Sequence, residues 1–231
     1  DAVGAGGPET ELQRVRPMTA RFELHGIFLS GPAYKVGLLL SLCGEAFDYV
    51  HVDLMTGAHK SPAYLERNRF GVVPTLIDRE AGTQMAQSSA ILEEIALLTG
   101  KFYGGSPAER RAAREWVLWG WDRLAKGIYR SRAAKFGFVK YPPEVVDHYR
   151  SEGEAGLKAL DFFLKGREWI CDGAQPTFAD IDLFGFAIYA GEAGLSLDGL
   201  THLQAWIKRI EALPGYRSPG ELLPKESRTA A

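Results

Sequence analysis

Apolar positions recur along this chain with two periods, and the pattern changes once. Through about residue 99, short β-branched or aromatic runs alternate with helical stripes. Residues 21–27 make the first run, a predicted strand ending around Gly26. Ser30-Gly31-Pro32 supplies a cap hydroxyl and a first-turn proline, and Val36, Leu39, Leu40 and Cys43 follow at i, i+3, i+4 and i+7. That spacing predicts a helix stopped by Gly44. Residues 47–53 are β-branched and aromatic and predict a second strand. Ser61-Pro62 opens a short helix ending near Asn68. Residues 72–77 and 83–86 flank Asp78-Arg79-Glu80-Ala81-Gly82 and read as a hairpin. Ser88 starts a further helix, with Ile91, Ile95 and Leu98 on one face. The predicted order is β-α-β-α-β-β-α.

Beyond residue 107 every signal is helical. Residues 109–126 form one helix carrying Trp116, Trp119 and Trp121, and Pro142-Pro143 opens another running toward Leu164. Thr177-Phe178-Ala179-Asp180 is a capping box, a hydroxyl at the cap with a carboxylate three residues on. Leu203, Trp206, Ile207 and Ile210 repeat the helix stripe before Pro214. The expected organisation is a disordered extension over 1–20, an α/β domain over 21–98, a linker, an all-α domain over 107–222 and a loose tail over 223–231.

Composition narrows the function. The chain has 231 residues, 46% hydrophobic and 24% charged, enough to bury a sizeable core without staples. Twenty-seven Lys and Arg against 29 Asp and Glu leave a formal charge of -2, with no basic surplus for nucleic acid or anionic membrane. Residues 36–43 and 183–190, the longest apolar stretches, are far short of a bilayer span. Cys43 and Cys171 make no disulfide framework, so a reduced, cytoplasmic setting is expected. There is no HExxH, CxxC, GxxxxGK[ST] or GxSxG, and the histidines at 25, 51, 59, 148 and 202 lack metal-ligand spacing, so no metal site is expected.

Three short signals carry chemistry. Val72-Val73-Pro74-Thr75 puts a proline at the opening of a strand. A cis Val73–Pro74 bond would turn the Val73 backbone outward to pair with a peptide-like ligand; an ordinary edge proline explains the same residues. Gln87-Ser88-Ser89 stands at a helix N-terminus after a strand, an anion site or a plain cap. Ser30 stands at another helix start, where a hydroxyl can donate to a thiolate and lower its pKa, or simply cap.

In this order and spacing the motifs resemble one family. Residues 21–100 resemble the glutathione-binding, thioredoxin-like domain of cytosolic glutathione transferases of the bacterial, serine/threonine, theta- and nu-like types. The all-α remainder to about residue 222 resembles their C-terminal helical bundle, including its buried capping box. The carrying stretches are Ser30-Gly31-Pro32-Ala33-Tyr34-Lys35-Val36, Gly57-Ala58-His59-Lys60-Ser61, Val72-Val73-Pro74-Thr75-Leu76 and Gln87-Ser88-Ser89-Ala90-Ile91.

The resemblance implies that glutathione is the co-substrate. Val73, before Pro74, would hold its cysteinyl part, Gln87 and Ser88 its γ-glutamyl end, and His59 and Lys60 its glycyl carboxylate. Ser30 would steady the thiolate. Pro32 departs from the Asn or Ser of many relatives, Gly26 stands where tyrosine-type members carry tyrosine, and Cys43 falls on the apolar stripe of the helix. Thiol activation is therefore left to Ser30, to backbone amides of the first helix, or to neither.

A small hydrophobic electrophile is expected between the domains, with Trp116, Trp119 and Tyr129 as candidate walls, although each of these, like Phe136, also reads as core. Arg130, Arg132 and Lys135 read as a solvated basic face. The activity the resemblance implies is transfer of the glutathione thiolate to this electrophile; the alternatives are glutathione-dependent disulfide or peroxide reduction and a non-catalytic binding module. The resemblance also implies a homodimer.

Overall fold

The computed structural model describes residues 20–230. The extension expected over 1–20 lies outside the described residues, Ala20 excepted.

Four strands, β1 (Phe22–Gly26), β2 (Phe47–His51), β3 (Thr75–Asp78) and β4 (Thr83–Ala86), form a mixed sheet in the order β2-β1-β3-β4. β1 and β2 are parallel, which requires a crossover, and helix α1 (Gly31–Cys43) supplies it. Ser30 Oγ caps α1 by accepting from the Ala33 amide, and Gly44, at φ 77°, closes it in the left-handed conformation. β3 pairs antiparallel with both β1 and β4. A 3-10 turn (Ala58–Lys60), α2 (Pro62–Arg67) and α3 (Ser88–Thr99) complete a thioredoxin-like domain.

Two details differ from the sequence pattern. β3 begins at Thr75 rather than residue 72, because Pro74 has no N–H for the ladder and Val72 O is taken by Tyr64 Oη and Asn68 Nδ2. On α3 the buried stripe runs through Ile91, Leu92, Ile95 and Ala96 and on to Thr99, whose hydroxyl meets Cys43 Sγ at 3.5 Å. Leu98 falls at the edge of that stripe and is 43% exposed.

The C-terminal domain is helical: α4 (Pro107–Gly120), α5 (Lys126–Lys135), α6 (Pro143–Leu164), α7 (Phe178–Ala187), α8 (Ala190–Ala193), α9 (Thr201–Glu211) and α10 (Pro219–Leu222). The single helix predicted over 109–126 is α4 followed by a π-turn (Trp121–Ala125) that leads into α5. α5 and α6 cross with backbones almost touching: a Cβ on Gly127 would lie 2.3 Å from Gly153 N. The capping box at the head of α7 forms and is buried, and Asp180 also accepts from Ile170 N at 2.9 Å and Trp206 Nε1 at 3.0 Å. One hydrophobic cluster runs from Phe22 and Leu24 in the sheet to Trp206 and Ile210 on α9.

Residues 223–230, expected to be a loose tail, are seated on the sheet. Arg228 and Tyr49 exchange both backbone hydrogen bonds, at 2.7 and 2.8 Å, beside β2, and Ala230 N donates to Asp48 Oδ1 at 2.7 Å. Leu222 and Leu223 are buried, so the edge of β2 is covered by a segment far away in sequence. Among the described residues no helix is long and apolar enough to cross a membrane.

Candidate active site

The parallel pairing of β1 and β2 brings their C-terminal ends to one side of the sheet, beside the N-terminus of α1. A cleft of about 900 Å³ opens there, with α5 as its far wall. Ser30, His59, Lys60 and Val73 all line it. The β3–β4 register pairs Thr75 with Ala86, so Pro74 and Gln87 follow as the next residues at the same end, and Ser88 heads α3 behind them.

The groups here carry unused hydrogen-bonding capacity. The Val73–Pro74 bond is cis. Separately, the Val73 backbone makes no hydrogen bond within the described residues, while both neighbours, Val72 O and Pro74 O, accept from Asn68. His59 Nδ1 is buried and has no hydrogen-bond partner among the described residues. Lys60 Nζ spends one of its three hydrogens on Gly71 O, at 2.7 Å. Gln87 has φ 70° and ψ 104°, a sparsely populated conformation for a residue with a Cβ.

The hydrogen-bond commitments at the head of α1 show which donors there are spent. Ser30 Oγ accepts from Ala33 N at 3.1 Å, which uses one of its two lone pairs and leaves its hydrogen. Pro32 has no N–H, Ala33 N is spent on the cap, and Tyr34 N bonds Ser30 O. Among the described residues, the first-turn amide of Gly31 has no partner, and the hydroxyl hydrogen of Ser30 is likewise unspent.

Neither nearby tyrosine substitutes for it. Tyr34 is fully buried and donates to Arg217 O at 3.0 Å, and burial holds its phenol far above the ordinary range. Tyr129 lines the cleft but donates to Gly185 O at 2.7 Å, and burial likewise raises its phenol. Burial also pushes the Cys43 thiol up, against the Thr99 hydrogen bond, which fits a packed side chain rather than a nucleophile. Among the described residues no group of three or more His, Cys, Asp or Glu could hold a metal ion.

Trp116 and Trp119 stand outside the cleft. Their rings pack edge to face at 5.4 Å from each other and at 5.0 and 5.9 Å from Phe163 of α6. The apolar wall of the cleft comes instead from Phe28, Leu54, Met55, Phe136 and Phe138, with Tyr129. Phe136, read as core, is 43% exposed. Arg132, read as part of a solvated face, is 8% exposed; it donates to Leu29 O at 2.7 Å and to Glu192 Oε2 at 2.6 Å, tying α5 to the loop that carries Ser30. A sequence signal for this wall exists: Tyr129, Arg132, Ala133 and Phe136 lie at i, i+3, i+4 and i+7 on one helix face. His51, stacked on Phe28, also lines the cleft, and its Nδ1 is buried without a partner.

Comparison with known proteins agrees with this architecture over both domains. A family model for the glutathione S-transferase N-terminal domain matches residues 30–98, and one for the glutathione S-transferase C-terminal domain matches residues 127–214. Glutathione S-transferase GST-4.5 of Xanthomonas campestris is 32% identical over 173 residues, 72% of this chain and 81% of the relative. Glutathione S-transferase GstB of Escherichia coli K12 is 27% identical over 190 residues, 79% of this chain and 89% of the relative. The crystal structure of a glutathione S-transferase from Pseudomonas fluorescens superposes with a TM-score of 0.80 at 26% identity, covering 87% of this chain and 99% of that one.

Proposed function

The chain belongs to the glutathione S-transferase family, and from that premise we propose that its cleft places the glutathione sulfur beside Ser30 and joins it to a flat, hydrophobic electrophile. The observation that carries this reading is the set of unspent groups around one cleft: the Val73 backbone, the His59 ring nitrogen and the Ser30 hydroxyl hydrogen. Such a set suits a peptide-like anion with a carboxylate at each end. Val73 offers a short antiparallel pairing to the cysteinyl unit. Gln87 and Ser88, at the positive end of α3, hold the γ-glutamyl carboxylate. His59 and Lys60 hold the glycyl carboxylate.

Ser30 donates to the thiolate and favours it over the thiol, with the Gly31 amide and the positive end of α1 acting in the same sense. The thiolate attacks the electrophilic carbon, a C–S bond forms, and the leaving group or the displaced electron pair departs with the negative charge. Phe28, Met55, Phe136 and Phe138 wall the space this carbon enters and favour flat apolar substrates. The assignment moves the electrophile wall from Trp116 and Trp119 to these residues and keeps Tyr129.

We place the protein in a reducing compartment such as the cytoplasm, since both cysteines are free and buried. It forms a homodimer in this reading, through a patch on α3 and α4. Glu93 and Leu97 lie one turn apart on α3, Arg114 and Leu118 one turn apart on α4, and Arg114 donates to Glu93 at 2.6 Å. Leu97 and Leu118, each one turn from a member of that pair, are 51% and 71% exposed, and the interface proposed here includes both.

Calorimetric titration with reduced glutathione, followed by a panel of aryl halides, enones and a glutathione-linked disulfide, tests the function. Saturable binding with turnover of carbon electrophiles is expected. Turnover of the disulfide alone would replace conjugation by reduction. Absence of binding at millimolar glutathione would leave a non-catalytic module.

A further inference from the structure

The reaction as described leaves a fully buried ion pair, Lys35 with Asp182, unused. Lys35 lies five residues beyond Ser30 on α1 and is fully buried. Its Nζ donates to Asp182 Oδ1 of α7 at 2.6 Å and stands 4.3 Å from the ring centre of Phe186 and 4.7 Å from that of Trp121. The same Asp182 oxygen accepts from Ser89 Oγ of α3 at 2.6 Å, and Ser89 Oγ accepts from Trp121 Nε1 of the π-turn at 2.6 Å. Asp182 Oδ2 is buried with no partner among the described residues.

Filling this volume with an ion pair is unfavourable compared with an apolar pair, because both charges lose their hydration and an apolar replacement is often as stable or more so. The backbone is nonetheless shaped around it. A Cβ on Gly185 would lie 2.9 Å from Lys35 Cβ and 3.0 Å from its Cδ, so α7 approaches α1 closely enough to leave room only for the lysine stem. What the polar atoms add over apolar packing is direction. α1 and α3 also pack against each other through the apolar core, whose side chains can slide, whereas Lys35 and Ser89 both bond one oxygen atom of a third helix.

We propose that Lys35, Asp182 and Ser89 are positioning residues that set, from the C-terminal domain, the relation between the two helix N-termini holding glutathione. α1 carries Ser30 for the sulfur, and α3 carries Gln87 and Ser88 for the γ-glutamyl end. The inference rests on the glutathione reading above. Movement of either helix breaks a bond to the shared carboxylate, so the distance between the thiol donor and the γ-glutamyl anchor is held where one ligand spans both.

The test compares wild type, Ser89→Ala and the double variant Lys35→Met/Asp182→Leu. The double variant removes both charges together and leaves no unpaired ion. Ser89→Ala keeps both charges, and serves if the double variant fails to fold. Thermal unfolding, glutathione dissociation constants by calorimetry, and the ultraviolet pH titration of the bound thiolate are read for each. The expected result is a double variant about as stable as wild type whose glutathione dissociation constant rises about five- to tenfold, the equivalent of one lost hydrogen bond. Its bound thiol then titrates at higher pH. Ser89→Ala weakens glutathione in the same direction. Folded variants with unchanged glutathione affinity and unchanged thiol titration would overturn the proposal and reduce the array to packing. No glutathione binding by wild type would overturn the underlying reading and this inference with it, a result distinct from the former.

Discussion

Tyr129 stands directly over Gly31: a Cβ added to Gly31 would come within 2.4 Å of the Tyr129 hydroxyl oxygen, which donates at 2.7 Å to Gly185 O. A ring that walls the cleft thus rests on the first residue of the helix that Ser30 caps. Gly31→Ala is expected to displace that hydroxyl, break its bond to α7 and cost about 1–3 kcal/mol, as overpacking does. Urea unfolding measures the loss, and kcat/KM falls with it. A Gly31→Ala variant with the stability and activity of wild type would show that the contact yields freely.

Ser30 caps α1, and in the proposed function it also donates to the thiolate; the two roles separate by pH. Ser30→Ala loses the cap on Ala33 N and about 1 kcal/mol of stability at every pH. It also removes the hydroxyl donor to the thiolate, a charged hydrogen bond, which lowers kcat/KM at neutral pH about 10- to 100-fold. With the donor gone the thiol titrates higher, so the rise of activity with pH moves to the alkaline side and the deficit shrinks there. A pH–rate profile displaced downward in parallel would leave only the cap.

Gln87 keeps φ 70° and ψ 104°, a conformation that costs roughly 1–3 kcal/mol for a residue with a Cβ. Gln87→Gly relieves it. The expected variant is as stable as wild type or more so, yet has a several-fold higher KM for glutathione, because the γ-glutamyl anchor is lost. Loss of stability with unchanged KM would mean that this backbone serves the fold alone.

Acid stability is expected to depend on Glu23. The hydrogen bond with His25, joined by Arg79 and opposed by burial, holds its carboxyl down at about 2. A carboxylate depressed in the folded state stabilises above its unfolded pKa, about 4.3, and that contribution is lost as pH falls toward 2. Urea midpoints of wild type should therefore fall between about pH 4.5 and 2. Glu23→Gln should start lower at neutral pH and decline less over that window. Parallel curves would remove Glu23 as the cause.

Leu118→Glu places a charge on the patch shared with Leu97 and is expected to give a folded monomer in sedimentation equilibrium at micromolar concentration. A dimer as tight as wild type would locate the interface elsewhere.

The elements were legible because their signals are local. Ser30 with Pro32 and Gly44 bounds α1, Thr177 with Asp180 opens α7, and the hairpin over 78–82 joins β3 to β4; each depends on hydrogen bonds or backbone angles within a few residues. The candidate glutathione groups were legible for the same reason, since Ser30, Val73 and Gln87 are marked by caps and a proline in their own segments.

Which face of a helix meets which neighbour is another matter, because periodicity gives a stripe and not its partner. Trp116 and Trp119 read as walls of a cleft and pack on Phe163, while Phe136 and Arg132, on the same stripe as Tyr129, face the cleft or clamp its loop. Arg228 pairs with Tyr49 from far along the chain, where no local signal marks it. Lys35 in sequence is one cation in an apolar helix; only the approach of α7 at Gly185 and of Ser89 on α3 makes it half of a buried pair. Backbone hydrogen bonding and periodicity, written within a few residues, determined the elements and the helix caps that stand at the cleft. Close packing between distant segments, which depends on side-chain shape in three dimensions, decided the wall of the cleft, the seat of the tail and the joint between the domains.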